Sequence, residues 1–413
     1  MGFVVTAGVA LLTALAAGLL LSSLYLVLLT AAGLLAHLSR RPTAGHASGA
    51  GGRPAQRFAV LVPAHNEALL IGRLLDNLRS LDYAPEAYTV HVVADNCDDD
   101  TATIARARGA RVYERFDSAA RGKGHALRWL LEQLRAAGER PDAYVILDAD
   151  SVVAPNFLRA MATRLAGGSE VVQAYYSVLN AGASPVAALR FAALAAIHYL
   201  RPLGRSLLGL SCGLKGNGMC VAAPVLEGFA WRWFTLAEDV EFHLALVEAG
   251  IRVDFAPETW VLADMPVTLR QAASQNARWE RGRLHLLRSR VPHLLLSVLS
   301  GRGRNAALIL DAGAEQLIPP LSVPFALGGG CLLAGLSLGQ GQLTLLAAAT
   351  LAALVLHLLV ALLLVRAPWR TYLALGYAPV YVCWKVGLYL RALLSAPGGR
   401  WIRTARLPRT ATS

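Results

Sequence analysis

The sequence predicts an α/β fold built on a mostly parallel sheet and flanked by transmembrane and interfacial helices. Three observations carry that reading. Between Phe58 and Leu147, short apolar runs alternate with segments of helical spacing, and such alternation implies right-handed crossovers and a parallel sheet. From Phe3 to Leu38 the chain carries almost no charge. Three more apolar stretches lie between Ala306 and Leu394, and about 20 apolar residues suffice to cross a bilayer.

The 413 residues are 55% hydrophobic, too apolar for an ordinary soluble chain. The start, Met1-Gly2-Phe3, has no basic n-region, and the run behind it is longer than the core of a cleaved signal peptide. The net charge of +12 comes from Arg residues beside the apolar segments: Arg40, Arg41, Arg53, Arg57, Arg366, Arg370, Arg400, Arg403, Arg406 and Arg409. That placement follows the positive-inside rule and attraction to anionic lipid, so no nucleic-acid partner is expected. The five cysteines show no CxxC or Cys/His spacing, which excludes a zinc site or disulfide framework and fits a reducing compartment.

Taken in order, residues 1–40 are expected to form a membrane helix whose end is placed in the cytoplasm by Arg40 and Arg41. The Gly/Ala/Ser-rich stretch 41–56 is a linker, and residues 57–265 are expected to form a cytoplasmic α/β domain. Its strands are expected at 58–63, 89–94, 111–113 and 143–147, and its helices at 67–81, 101–108 and 124–136. Ligands of parallel sheets sit beyond the carboxyl ends of the strands, and His65, Asp95 and Asp148 fall there. Residues 266–304 are expected to be amphipathic interface helices. The stretch 185–210, apolar but punctuated by Arg190, His198, Arg201 and Arg205, has the spacing of a helix lying on the membrane surface. Spans are expected near 313–337, broken by Pro319, Pro320 and Pro324, and near 341–365 and 371–394. Three full crossings would put the basic tail 399–413 outside, so 371–394, with Lys385 and Arg391, is expected partly in the interface.

Several elements carry chemistry. Asp148-Ala149-Asp150 follows a strand and can face a diphosphate through Mg²⁺ or Mn²⁺; a solvated turn is the bland alternative. Asp95 can accept from a ribose hydroxyl or base N–H, while Asp98, Asp99 and Asp100 read as helix capping. Glu238-Asp239 opens a helical stretch and suits a general base beside an acceptor hydroxyl, or simply a favourable helix start. Gln275, Arg278 and Trp279 fall within one turn, with Arg278 suited to phosphate and Trp279 to a sugar face or the membrane interface. Lys123, between Gly122 and Gly124, departs from the P-loop pattern, which argues against an ATPase. His91, His198, His285 and His357 lack partner spacing and read as structural.

Jointly these elements resemble the membrane-embedded family 2 glycosyltransferases with a Rossmann-like GT-A domain, in the branch of cellulose, hyaluronan and poly-N-acetylglucosamine synthases and ceramide glucosyltransferase. The matching stretches are Pro63 to Glu67, Asp95, Lys123, Asp148 to Asp150, Gly216-Asn217-Gly218, Glu238-Asp239 and Gln275 to Trp279. The resemblance implies that Ala64, His65, Glu67, Asp95 and Lys123 meet the nucleoside of a UDP-sugar donor. It places Asp148 on the nucleotide sugar and Asp150 on Mg²⁺ or Mn²⁺, and adds Gly216 and Asn217 to the binding set. Asp239 would be the base with Glu238 in support, Gln275 and Arg278 would grip the diphosphate, and Trp279 would pack on the acceptor sugar. The implied reaction is displacement with inversion, giving a β-linkage at the cytoplasmic face of the inner or plasma membrane. A glycan acceptor, extended into a polysaccharide, is the leading expectation; transfer of one sugar to a lipid is the alternative. Two departures stand out: Ala237 precedes Glu238 where cellulose-type enzymes carry Thr, and the membrane region is short for polymer export. A transporter with a nucleotide-binding domain is disfavoured, since Asp311 and Glu315 are the only acidic groups that stand out in the spans.

Overall fold

The structure is a computed structural model that describes residues 2–40, 56–301 and 303–394. The linker (all but residue 56), the basic tail, and with them Arg41, Arg53, Arg400, Arg403, Arg406 and Arg409 lie outside the described residues.

Eight strands form one mixed sheet: β1 Phe58–Ala64, β2 Tyr88–Asp95, β3 Arg111–Arg115, β4 Ala143–Ile146, β5 Ser151–Val153, β6 Val171–Val178, β7 Met219–Ala222 and β8 Val253–Ala263, in the order β3-β2-β1-β4-β7-β6-β8-β5. The first four pair in parallel, as the alternation predicts. Of the rest only β6–β8 is parallel, while β4–β7, β7–β6 and β8–β5 are antiparallel. Alternate residues of β1 enter opposite cores: Phe58, Val60, Val62 and Ala64 join one apolar cluster, Ala59 and Leu61 the other. Burial on both faces is why β1 reads as an unbroken apolar run rather than an alternating one.

The switch point of the parallel half lies at β1, with β2 on one side and β4 on the other. Asn66 and Asn96, just past β1 and β2, have φ of 55° and 51°. Asn tolerates this left-handed conformation better than most residues, and the two sharp turns leave His65 and Asp95 at the rim. The helix expected over 67–81 is shorter, Ile71–Arg79, because Glu67 to Leu70 form a turn in which the Glu67 carbonyl accepts from Leu70 and Ile71.

Among the described residues, four helices are long and apolar enough to cross a membrane: Thr6–Ser39, Pro185–Leu207, Gly341–Leu364 and Trp369–Leu394. A fifth span is possible in length if Ala306–Leu317 and Ser322–Ser337, bent by 63°, are taken as one. The bend falls at Pro319 and Pro320, which cannot supply ladder N–H groups, so the expected break is where the sequence puts it.

The 185–210 stretch does not lie on an outer surface. Ala192, Ala195, Ala196 and Leu200 pack with Ala361 and Leu362 of Gly341–Leu364. Gly204 abuts the N-terminal helix so closely that a Cβ there would sit 2.4 Å from the Leu29 carbonyl oxygen, the small-residue contact that lets helix backbones approach. Arg205 is fully buried and ion-pairs with Asp311 and Glu315, each at 2.9 Å. The stretch that resembles a surface helix is therefore internal, with Arg205 met by carboxylates from Ala306–Leu317. Lys385 is likewise buried, held by Glu280 at 2.8 Å and donating to Asn276 Oδ1 at 2.6 Å.

Candidate active site

A cavity of about 730 Å³ begins at the carboxyl ends of β1, β2 and β4 and runs to the walls of the apolar helices. At its outer end the Pro63-Ala64 backbone, His65 and Glu67 form one wall. His65 Nδ1 lies 2.7 Å from the Asp95 carbonyl oxygen, and the Glu67 N–H donates to Thr101 Oγ1 at 2.8 Å. These contacts tie the two sharp turns together. Asp95 lines the cavity, but its carboxylate is not the isolated acceptor expected from sequence. Arg115 donates to Oδ1 at 2.6 Å and so does Asn96 at 3.0 Å, which leaves Oδ2 for a ligand.

Asp148, just past β4, and Asp150 both line the cavity. The Asp148 N–H donates to Asn217 Oδ1 at 3.1 Å, and Asn217 Nδ2 donates to Ser151 Oγ at 2.8 Å. Asn217 itself is fully buried and does not line the cavity. Its expected place among the substrate contacts is corrected here: both ends of its amide are used to fix the turn that carries Asp148 to Asp150. No cluster of three or more His, Cys, Asp or Glu with metal-ligand placement occurs among the described residues. Two carboxylates alone leave a hard divalent ion short of oxygen ligands, which fits Mg²⁺ or Mn²⁺ shared with a diphosphate.

Lys123, expected at the nucleoside, lines the cavity and is tied to the acidic residues. It opens the helix Lys123–Ala136, and Gly124 after it fits only as glycine, since a Cβ would meet the Trp233 carbonyl oxygen at 2.1 Å. Lys123 Nζ donates to Asp148 Oδ1 at 2.6 Å and to the Gly216 carbonyl, and stands 3.9 Å from Glu238 Oε1. Burial alone would lower its pKa, but Asp148 and Glu238 outweigh it and hold the ammonium above its ordinary value. The lysine links the expected metal carboxylates to the expected base.

Glu238 and Asp239 begin the helix Glu238–Glu248. Burial pushes both carboxyls up, Glu238 to about 7 against the opposing pull of Lys123. Such a shift suits proton transfer near neutral pH. Asp239 is pressed against Gly216, where a Cβ would come within 3.2 Å of its Oδ2 and φ is +76°. From the other side Gly282 of the helix Leu269–Ser289 packs on Ala237, with a virtual Cβ contact of 3.1 Å. The dyad is thus clamped between the 213–218 loop and the Gln275-to-Trp279 helix.

Gln275, Arg278 and Trp279 all line the cavity. Arg278 has no ion-pair partner among the described residues. Trp279 packs against the sheet core, and the Arg190 guanidinium covers its ring at 4.0 Å. One face of the indole is therefore taken by a cation, which alters the expected stacking on an acceptor sugar.

Of the residues expected as catalytic, metal-holding or substrate-binding, only Asn217 lies off the cavity wall. The sequence reading passes over Lys215 and treats Arg190, Arg201, Glu315 and Lys385 as features of the membrane segments, yet all five line it. Glu315 pairs with both Arg205 and, at 3.6 Å, Lys215. Charges set in apolar stretches are the signal that could have found them.

Comparison with known proteins agrees with this geometry. Residues 54–282 match the family described as Glycosyltransferase like family 2. The chain is 28% identical over 212 residues to the beta-monoglucosyldiacylglycerol synthase of Synechocystis sp., covering 49% of this chain and 43% of that protein. It is 22% identical over 240 residues to the probable glycosyltransferase YdaM of Bacillus subtilis, covering 56% of each. The chain thus spans about half the length of the curated relatives it matches. In fold it is similar to the mannosyltransferase PcManGT from Pyrobaculum calidifontis, solved in complex with GDP-Man and Mn²⁺, with a TM-score of 0.54 and 20% identity over 90% of this chain and 99% of that one. With more than half its length matched and its carboxylates gathered at the strand ends of a GT-A-like sheet, the chain belongs to glycosyltransferase family 2.

Proposed function

We propose that the protein transfers one hexose, with inversion, from a nucleoside-diphosphate sugar to the hydroxyl of a membrane lipid at the cytoplasmic face. In this reading residues 57–265 form the catalytic domain, 266–304 link it to the membrane, and 1–40 with 305–394 anchor it. The observation that carries the lipid acceptor is the cavity itself. It is continuous from Asp148 and Asp239 to an apolar wall made by Ile197, Leu321, Phe325, Leu358 and Val382. A polymer would ask for a polar, sugar-stacking track, whereas one face of Trp279 is already taken by Arg190. The glucolipid synthase among the relatives supports the same choice.

His65, Glu67 and Asp95 would bind and orient the nucleoside, uridine being the expectation. Asp148 and Asp150 would hold Mg²⁺ or Mn²⁺, an ion that neutralises charge on a departing diphosphate. Arg278 offers the diphosphate a forked donor, with Gln275 beside it. Asp239 takes the proton from the acceptor hydroxyl, whose oxygen then attacks the anomeric carbon opposite the leaving group. Glu238 and Lys123 keep Asp239 in place and set its charge.

The test is a product analysis. The full chain is incubated with Mn²⁺, membrane lipid and radiolabelled UDP-glucose, UDP-N-acetylglucosamine, UDP-galactose or GDP-mannose in turn. One organic-soluble product with one sugar per lipid is expected. A water-soluble ladder of lengthening product would contradict the lipid reading and return the case to polymer synthesis.

A further inference from the structure

The apolar end of the cavity is interrupted by two polar groups. Arg201 is 5% exposed and Ser322 is 8% exposed, and both line the cavity. Arg201 Nη2 and Ser322 Oγ are each buried without a hydrogen-bond partner. Leu200 and Leu321, their neighbours in sequence, share one apolar cluster, so the two segments are packed together.

Arg201 is held in place. Its Nε donates to His357 Nε2 at 3.3 Å, which assigns the proton to Nδ1, 2.7 Å from Thr30 Oγ1, and Thr30 in turn donates to the Leu26 carbonyl at 2.7 Å. Its charge, however, is only partly matched: Glu315 stands within electrostatic reach but makes no ion pair with it. Asp311 is taken by Arg205, and Glu315 by Arg205 and Lys215. Arg283 stands within electrostatic reach and adds a second positive charge, while its Nη2 donates to the carbonyls of Gln316 and Ile318. Ser322 also opens the 16-residue helix Ser322–Ser337, whose N-terminal dipole favours an anion. A buried guanidinium N–H and a buried hydroxyl left unpaired cost free energy that a ligand would recover. Arg201, Arg205, Arg283 and Lys215 share the two carboxylates Asp311 and Glu315, so positive charge is in excess around Arg201, and excess charge inside an apolar segment points to a functional site. A guanidinium, a hydroxyl and a helix start together match phosphate oxygens.

We propose that Arg201 and Ser322 hold the phosphate of an anionic lipid whose acyl chains fill the apolar end of the cavity. This rests on the lipid-acceptor reading and narrows it: the lipid carries a phosphate as well as the hydroxyl offered to Asp239.

The full chain in neutral detergent is titrated with dioleoyl phosphatidylglycerol and with dioleoylglycerol, which share chains but differ in the phosphate, and binding is read by native mass spectrometry. Phosphatidylglycerol should bind at least about tenfold tighter, the size expected of charge-assisted hydrogen bonds. Equal affinity for the two lipids overturns the proposal, and this comparison needs no variant. R201Q should erase the preference and R201K should keep part of it; a preference unchanged in R201Q overturns the assignment of Arg201. A tenfold loss of donor affinity in R201Q, with the lipid preference intact, would assign the arginine to the donor diphosphate instead. Inorganic phosphate that binds as tightly as the lipid would show a site for the free ion and overturn the lipid. Donor hydrolysis by the unmodified chain is followed in parallel. Its absence with every nucleotide sugar tested would sink the transferase reading, while the lipid preference alone decides this inference.

Discussion

Asp239→Asn should lower transfer by about 10³-fold, within the 10²–10⁴ range typical of a lost general base, while donor binding survives. The amide keeps the shape that packs on Gly216, so the loss falls on the proton that an amide cannot accept. Equilibrium binding of the nucleotide sugar and the transfer rate, measured on the same preparation, separate the two effects. Loss of binding and rate together would place Asp239 at the donor instead. The pH dependence follows from the same site. Burial raises both carboxyls of the dyad, Glu238 to about 7. A base acts when deprotonated, and burial holds the Asp239 carboxyl above its ordinary value, so the unmodified enzyme should gain activity as pH rises through that raised titration and lose it below. D239N should flatten that limb, and a profile that falls over the same interval would contradict the assignment.

Arg205→Met should destabilise the chain by about 3–5 kcal/mol, the cost of stranding buried carboxylates by removing their partner. Arg205 is fully buried and holds Asp311 and Glu315 together, with its Nη2 donating to Tyr25 Oη at 2.9 Å and Tyr25 donating to Asp311. The four groups come from the N-terminal helix, Pro185–Leu207 and Ala306–Leu317, so the junction of these three helices should open first on heating. The thermal midpoint in detergent checks this. Pairing Arg205→Met with Asp311→Leu should recover part of the loss, since one unpaired charge is removed as well. A midpoint unchanged by the single substitution would show that the network adds nothing to stability.

The parallel half of the sheet was legible because its strands are short, apolar on both faces and separated by helices. The strand-end rule then placed His65, Asp95 and Asp148 in one cleft before any coordinates. The rest of the sheet was not. β5 and β7 have three and four residues, and the β6–β8 register slips between Ala174 and Tyr175, so neither period persists long enough to read. Gly216-Asn217-Gly218 looks like a ligand loop in sequence, yet Asn217 faces inward because both amide ends find protein partners. Pro319 and Pro320 announced the broken helix by themselves. Arg205 could not announce Asp311, more than a hundred residues away, since only tertiary packing brings them together. For the same reason the 185–210 helix read as a surface element.

The most direct measurement uses a diacylglycerol with a photoreactive group at the end of one acyl chain, irradiated with the full chain and mapped by peptide mass spectrometry. Labelling should concentrate on residues 318–325 and 375–382, and Leu358→Trp, which fills the apolar end, should suppress it. Label spread evenly over the outer faces of the membrane helices, unaffected by that substitution, would contradict a cavity shared by the catalytic carboxylates and a lipid chain.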